Sequence, residues 1–544
     1  MTHCRLVIIP TIVAFLAGCP APEVEPSDTD PDSDTQTEAP MCVDGSTPLP
    51  FISDGGGNLF GDVATDFSFT QLDGSTFTFS EAFSGCDSYV FVVYRTGYTS
   101  SDQIFDGSHA GILLQSTDNV HYIIMSDEAS DEGRAQRVQK VKEQIDSMGM
   151  ASWDGRVHYS SDSPVVATGS LSAMFMDYQS FSINPANAVD LGSRGKARSP
   201  VLSMFGVDRG QRWDSGGSPS DYVGGPASYR MATALGPFYN HRHSVAKYAD
   251  ESEGTEIVLQ EGLTKERVFL RTVTLPENMA SFDSLEFDVE VTCHERNVFA
   301  CSEWDRIARI DICLDGEECT QQREMVRWIT PYWRRGQRRW VMDASPLLGQ
   351  VPVESKATFR VTMGPGWERA TEREIRVALR LSDQGGPKPQ PAQFVFGGGN
   401  FNENYNTRET KVFTPPASAK RVELVYLVSG HGQTQGDNCA EWCDHRHIFS
   451  VNGTELPEIK HDSAIGGRGC ADQSSSGVSP GQWGNWPQER AYWCPGLPVP
   501  VERIDITDQV VLGSENSLDY RGAFKTREPK GGTISLSSFV VWYE

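Results

Sequence analysis

At 544 residues and a formal net charge of −26, the chain exceeds a single hydrophobic core and has the length of about three ordinary domains. The acidic balance excludes nucleic acid as a partner, because phosphate binding needs clustered Lys and Arg. The one basic cluster, Arg334, Arg335, Arg338 and Arg339 around Gly336, reads as a solvated loop, with a contact for acidic sugars as the sharper alternative.

Arg5 precedes an apolar run from Leu6 to Leu16 that continues into Ala17-Gly-Cys19. The run is too short to cross a membrane and reads as a signal peptide over residues 1–18. Its Leu-Ala-Gly-Cys ending resembles a bacterial lipobox. That resemblance implies cleavage before Cys19, lipid on its sulfur, and an outer-membrane lipoprotein in the periplasm or at the cell surface, held to the membrane by the anchor alone. Residues 19–41 are Pro, Ser, Thr, Asp and Glu with almost nothing apolar, so an acidic disordered tether is expected. Of 12 cysteines, Cys4 leaves with the signal and Cys19 takes the lipid, which leaves ten. An even count in an exported chain favours disulfides over reactive thiols, and Cys313 with Cys319 would close a short loop.

Over residues 42–194, Phe67–Thr70 and Thr76–Phe79 alternate as strands, while Tyr89–Tyr94 and His121–Met125 are continuous apolar runs typical of doubly buried strands. Val138, Val141 and Ile145 fall at helical spacing. This alternation predicts a three-layer α/β domain that resembles a redoxin or thioredoxin-like fold. Such a fold carries its reactive cysteine after the central strand. Here Arg95-Thr-Gly-Tyr-Thr-Ser-Ser101 has none, so an accessory module without thiol chemistry is expected. Residues 195–250, rich in Gly, Ser and Pro, read as a linker.

From residue 251 the pattern is all-β. Val268–Leu275 and Leu285–Val291 alternate apolar and polar. From Trp304 to Ile312, alternation puts Trp304, Ala308, Ile310 and Ile312 on one face and Glu303, Asp305, Arg309 and Asp311 on the other, so Asp305 points out of the core. Pro387, Pro389 and Pro391 mark a boundary, dividing 251–391 from 392–544. In the second part Arg421–Val428 and Ser535–Tyr543 read as strands, and Asn452-Gly453 after Ile448–Val451 as a hairpin turn.

Two stretches carry the chemistry. Cys301-Ser-Glu-Trp-Asp-Arg306 and Asn438-Cys-Ala-Glu-Trp-Cys443 each set acids beside a tryptophan and next to cysteines. A carboxylate supplies acid or base and an indole supplies a flat surface for a pyranose ring, so a sugar site where the two sheets meet is expected. Together with Arg327-Trp-Ile-Thr-Pro-Tyr-Trp333 and Arg490-Ala-Tyr-Trp-Cys-Pro-Gly496, these stretches make the chain from about Lys265 to Glu544 resemble the bacterial N-glycanases of the peptide-N-glycosidase F family.

The resemblance implies two eight-stranded antiparallel jelly rolls side by side. It implies hydrolysis of the amide joining the innermost N-acetylglucosamine to asparagine in N-glycosylated proteins or glycopeptides, by a monomer without metal or cofactor. It assigns catalysis to Asp305 and Glu441, and substrate contacts to Arg306, Arg490, Trp304, Trp333 and Trp442. It pairs Cys293 with Cys301, Cys439 with Cys443 and Cys470 with Cys494, leaving Cys42 for Cys86.

Two departures stand out. Val361-Thr-Met-Gly-Pro-Gly-Trp367 lacks the family's supporting glutamate, and His431 replaces a family tryptophan in the substrate region. The missing acid keeps a non-catalytic glycan-binding lipoprotein as an alternative. A copper monooxygenase-like protein on a similar fold is a further one, since Cys439, Cys443, His445 and His447 have ligand-like types, but no His-His-Met set is evident. Gly477-Val-Ser-Pro-Gly481 matches a serine-hydrolase pentapeptide without the strand-turn-helix context it needs.

Overall fold

The computed structural model describes residues 41–183, 203–217, 228–293, 304–331, 336–353, 356–367, 372–432, 439–461, 467–481, 486–524 and 529–544. Cys19, Cys301, Trp333, Arg334 and Arg335 lie outside them, as does the side chain of Cys439.

The N-terminal unit is built on a five-stranded sheet in the spatial order Val157–Tyr159, Val120–Ser126, Ser88–Tyr94, Met204–Val207, Trp213–Gly217. The first three strands are parallel, and the last two run antiparallel to their neighbours. Ser88–Tyr94 is buried along its whole length, which is why it reads as an unbroken apolar run. Helix Asp131–Asp146 starts where the Ser130 hydroxyl accepts the Gly133 N–H at 3.1 Å, and it turns Val138, Val141 and Ile145 inward.

The stretch expected as a linker, 195–250, is not one. Its described residues supply the strands Met204–Val207 and Trp213–Gly217 and most of the 22-residue helix Arg230–Glu251. Tyr229, Ala232, Leu235 and Tyr239 fall at helical spacing and are all 0% exposed, but Gly236-Pro237 in their midst reads as a breaker. Pro237 removes the helical bond to the Thr233 carbonyl, and the Ser116 hydroxyl donates to that carbonyl instead at 3.4 Å. At Gly236 a Cβ would lie 2.9 Å from Thr117 Oγ1, so the helix backbone passes close to Ser116 and Thr117 there.

The remaining chain forms two antiparallel β-sandwiches. The first pairs the sheet Gly336–Asp343, Ser284–Cys293, Arg373–Ser382, Thr255–Thr264 with the sheet Gln322–Ile329, Ile307–Cys313, Lys356–Thr362, Val268–Thr274, onto whose edge Pro498–Val499 adds. The second pairs Gln393–Asn400, Thr533–Tyr543, Arg421–His431, Glu502–Asp505 with Lys411–Phe413, Asn516–Phe524, His445–Val451, Thr454–Glu455. In both, the first strand pairs the last, the last pairs the third and the third pairs the sixth, while the other sheet runs second, seventh, fourth, fifth. This is jelly-roll order. Asn452 and Gly453 take φ of 49° and 79°, the left-handed pair that a tight hairpin turn requires. Val425, Leu427, Phe539 and Val541 of the second sandwich join the apolar cluster of the first, so the two pack side by side.

Arg338 is buried and Arg339 half-buried, so neither belongs to a solvated loop. They lie on strand Gly336–Asp343, where Arg338 meets Asp214 of the N-terminal sheet at 3.3 Å and Arg339 meets Asp288 at 2.8 Å. Arg242 on helix Arg230–Glu251 reaches Asp208 and Asp214 at 3.0 and 3.2 Å. Buried acids contributed by other parts of the chain, which the local sequence cannot indicate, draw these arginines in. Disulfides join Cys42 to Cys86, Cys313 to Cys319 and Cys470 to Cys494. Cys293 and Cys443 are also disulfide-bonded.

After strand Ser88–Tyr94, where a redoxin places its thiol, the chain puts Arg95. Its Nε lies 3.0 Å from Asp127 and its guanidinium 4.7 Å from the Phe175 ring centre. Cys42 and Cys86, the cysteines of this unit, are bonded to each other. With no free thiol among the described residues of this unit, the full chain is expected to consume hydroperoxide and reduce insulin disulfides only at the uncatalysed rate; turnover above that rate would overturn this reading.

Candidate active site

Trp304, Asp305 and Arg306 lead into strand Ile307–Cys313 and are half-buried. Thr330, just past the neighbouring strand, pins them: the Arg306 N–H donates to its hydroxyl at 2.9 Å, and that hydroxyl donates to the Trp304 carbonyl at 3.2 Å. The strand begins only at Ile307, so alternation does not by itself orient Asp305. Nor does the expected polar face persist. The register shifts between Ile310 and Asp311, and Asp311 is buried at 1% exposure. Burial pushes its carboxyl up to about 6, against the pull of Arg309 with Nε 3.0 Å away. The Arg306 guanidinium sits 5.0 Å from the ring centre of Trp367, which is 77% exposed.

Glu441 lies on the short helix Cys439–Trp442 of the second sandwich. Two glycines let this helix press onto the sheet. A Cβ on Gly430 would fall 1.7 Å from the Ala440 carbonyl oxygen, and one on Gly532 would fall 2.3 Å from the Ala440 Cβ. Arg490, fully buried, is clamped between two indoles, its guanidinium carbon 3.4 Å from the centre of Trp442 and 4.3 Å from that of Trp493. Trp493 in turn donates from Nε1 to the Glu441 carbonyl at 3.0 Å.

Burial is the main force on the Glu441 carboxyl and pushes it up to about 7. The Arg490 charge opposes this, the Asp305 charge adds to it, and the Gly432 N–H bonds to the carboxylate and lowers it. Asp305 of the first sandwich and Glu441 of the second therefore act on one another.

His431 packs against Trp493 with ring centres 5.3 Å apart, and its Nε2 lies 2.7 Å from the Ser429 hydroxyl. Arg327 donates to that hydroxyl at 2.8 Å and holds Glu324 by two bonds of 2.7 Å. Burial pushes His431 down to about 3, so its ring is neutral. The structure thus gathers Glu441, Trp442, Arg490 and His431 around Trp493, with Asp305 in electrostatic reach and Arg306 beside Trp367. Trp493, Trp367 and Thr330 were not singled out from the sequence. Trp493 and Thr330 sit inside the quoted motifs, so those motifs were the available signal. Trp367 closes the stretch Val361–Trp367, which drew attention only for the acid it lacks, and its partner Arg306 is remote in the chain. Ser479 of the serine-hydrolase pentapeptide is fully buried, against Arg338 Nε at 3.1 Å.

Gly430→Ala is expected to displace the helix of Glu441, since the added methyl meets backbone that cannot rotate away. Turnover of the catalysed reaction should fall at least about tenfold with a circular dichroism spectrum like the parent's, an effect of small misplacement. An equally active variant would show that the close packing does not position Glu441.

Residues 400–541 match the family described as peptide-N-glycosidase F, C terminal. The peptide-N(4)-(N-acetyl-beta-D-glucosaminyl)asparagine amidase F of Elizabethkingia miricola is 26% identical over 285 residues, covering 50% of this chain and 77% of that relative. A crystal structure of a peptide-N(4)-(N-acetyl-beta-D-glucosaminyl)asparagine amidase superimposes with a TM-score of 0.44 at 21% identity, over 54% of this chain and 96% of that one. The structure of PNGF-II gives 0.40 at 13% identity, over 55% and 67%. The second half of the chain is peptide-N-glycosidase F-like, and residues 400–541 within it match that family's C-terminal domain.

Proposed function

We propose that the chain is an amidase that cleaves the bond between the innermost N-acetylglucosamine and the asparagine side chain of N-glycosylated proteins or glycopeptides. The observation that carries this reading is the pairing of carboxyls across the two sandwiches, with the Glu441 carboxyl raised to about 7 by burial and by the Asp305 charge. The match to the peptide-N-glycosidase F family and the identity with its amidase support it.

The chemistry divides between the two acids. Asp305 takes a proton from water, whose oxygen adds to the amide carbon of the asparagine side chain. Glu441 delivers its proton to the nitrogen, which leaves with the sugar as the carbon–nitrogen bond breaks. The products are aspartate and a glycosylamine. Arg490, fixed between Trp442 and Trp493, sets how far the Glu441 carboxyl rises, and the exposed Trp367 beside Arg306 offers an apolar face for a sugar ring. Trp304 completes the substrate-contacting set in this reading. The N-terminal unit we read as a redoxin-like accessory module, supported by its mixed sheet order and the Arg95 loop.

Incubation with a denatured N-glycoprotein should convert glycosylated asparagine to aspartate, seen by mass spectrometry of the peptides. Asp305→Asn should lower this by about 10²-fold or more with folding retained, the usual scale for a lost general base, and Glu441→Gln should be comparably severe. Glycan binding without conversion would replace the enzyme reading by that of a binding protein, which the absence of an acid in Val361–Trp367 favours.

The pH dependence follows from the raised carboxyl. Glu441 holds its proton below about 7 and loses it above. As the proton donor it should therefore give kcat/KM a limb that falls as pH rises through about 7, and the residual activity of Glu441→Gln should lack that limb. A rate still rising between pH 7 and 9 in the parent would assign proton donation elsewhere.

A further inference from the structure

Behind the helix that carries Glu441, inside the second sandwich, lies a cluster of side chains that the proposed reaction does not use. His445 and His447 stand two apart on strand His445–Val451, so alternation turns both inward. Mutual backbone bonds of 3.0 Å between His447 and Ile459 bring the following chain back across that strand and deliver His461. All three rings are 0% exposed, and one ligand atom from each lies within 4.8 Å of the others. The sequence drew attention to His445 and His447 beside Cys439 and Cys443; the fold replaces the cysteines, Cys443 being disulfide-bonded, with His461.

We propose that His445, His447 and His461 form a binding site for a divalent transition-metal ion of the Zn2+ class, which fixes the core of the second sandwich beneath Glu441.

Among the described residues the donor set is three imidazoles with no carboxylate or thiolate in the cluster, which suits zinc, copper or nickel and not calcium or magnesium. His461 supplies an independent observation. Neither of its ring nitrogens has a hydrogen-bond partner among the described residues, although the ring is completely buried. A buried imidazole needs a partner on each nitrogen, and leaving one unmade is costly. An ion among the three rings would satisfy the nitrogen that faces it.

His447 shows the support a metal ligand needs on its far side. Its Nδ1 lies 2.7 Å from the Tyr520 hydroxyl, which lies 2.7 Å from the Tyr405 hydroxyl. Such an outer partner fixes the tautomer and the ring plane. On the near side, His447 Nε2 and His445 Nδ1 are 2.8 Å apart. Zinc–nitrogen bonds of 2.0–2.1 Å in tetrahedral geometry separate ligand nitrogens by roughly 3.3 Å, so those two rings need to part by only about half an ångström.

The location gives the ion a task. His445 Nε2 lies 2.3 Å from the point where a Gly430 Cβ would sit, next to the Ala440 carbonyl. A ring locked by metal would hold that corner, and with it the helix Cys439–Trp442. The role is structural and does not depend on which reaction Glu441 performs.

The full chain, stripped with a chelator and dialysed, should bind Zn2+ stoichiometrically in calorimetry and unfold at a higher temperature with Zn2+ than without. Co2+ in its place should give visible absorption typical of nitrogen ligation. His461→Gln should abolish both, and Tyr520→Phe should weaken Zn2+ about 10- to 100-fold, as loss of an outer partner does. Should His461→Gln fail to fold, the Co2+ spectrum of the parent and the Tyr520→Phe titration decide. Absence of bound ion in the parent, or binding that ignores both substitutions, would overturn the site and leave three packed histidines.

Discussion

The structure depends on one stapled stretch, residues 467–481 and 486–499, which touches all three units at once. Cys470, Ala471, Val478, Trp486 and Cys494 join the apolar cluster of Leu235 and Tyr239 from helix Arg230–Glu251 and of Tyr229 just before it. Pro498–Val499 then adds an edge strand to the first sandwich by pairing with Arg327 and Trp328. Between these anchors lie Arg490 and Trp493, which reach the Glu441 helix of the second sandwich. The Cys470–Cys494 bridge restricts the unfolded segment and so favours the one path that satisfies all three contacts. The N-terminal unit is thereby part of the framework around the site, through Arg242, Asp214 and Arg338 as well as through the apolar cluster.

Within that framework the site is an electrostatic balance. Burial raises the Glu441 carboxyl, and the clamped Arg490 limits the rise. A freely moving arginine would pair with the carboxylate and restore an ordinary acid. Held by two indole faces, Arg490 supplies charge from a fixed place. The Glu324–Arg327 pair beneath follows a different balance. There burial raises the carboxyl, but the charge and hydrogen bonds of Arg327 together with the Ser537 hydroxyl outweigh it and hold the carboxyl below its usual range, and the pair ends in the Ser429 hydroxyl that orients His431.

The unevenness of what could be read from the chain has physical causes. Strands such as Ser88–Tyr94 and Arg421–His431 were legible because burial on both faces writes a continuous apolar run. The helix Arg230–Glu251 was not, because Gly236-Pro237 punctuates it and the Ser116 hydroxyl that meets the freed carbonyl lies far away in the chain. The exposure of Asp305 was inferred from alternation, yet the strand starts after it and a bulge at Asp311 interrupts the pattern by burying that acid.

By itself the sequence determined strand and helix types outside residues 195–250, the division of the C-terminal part into two all-β pieces, and the clustering of Asp305, Glu441 and Arg490 with tryptophans in short motifs, since these follow from local periodicity and composition. Only the tertiary structure decided which groups act on each other. Asp305 influences Glu441, Trp367 lies beside Arg306, and His461 joins His445 and His447, each across a wide sequence separation. Burial and long-range charge are properties of the packed chain, and no local pattern of residues encodes them.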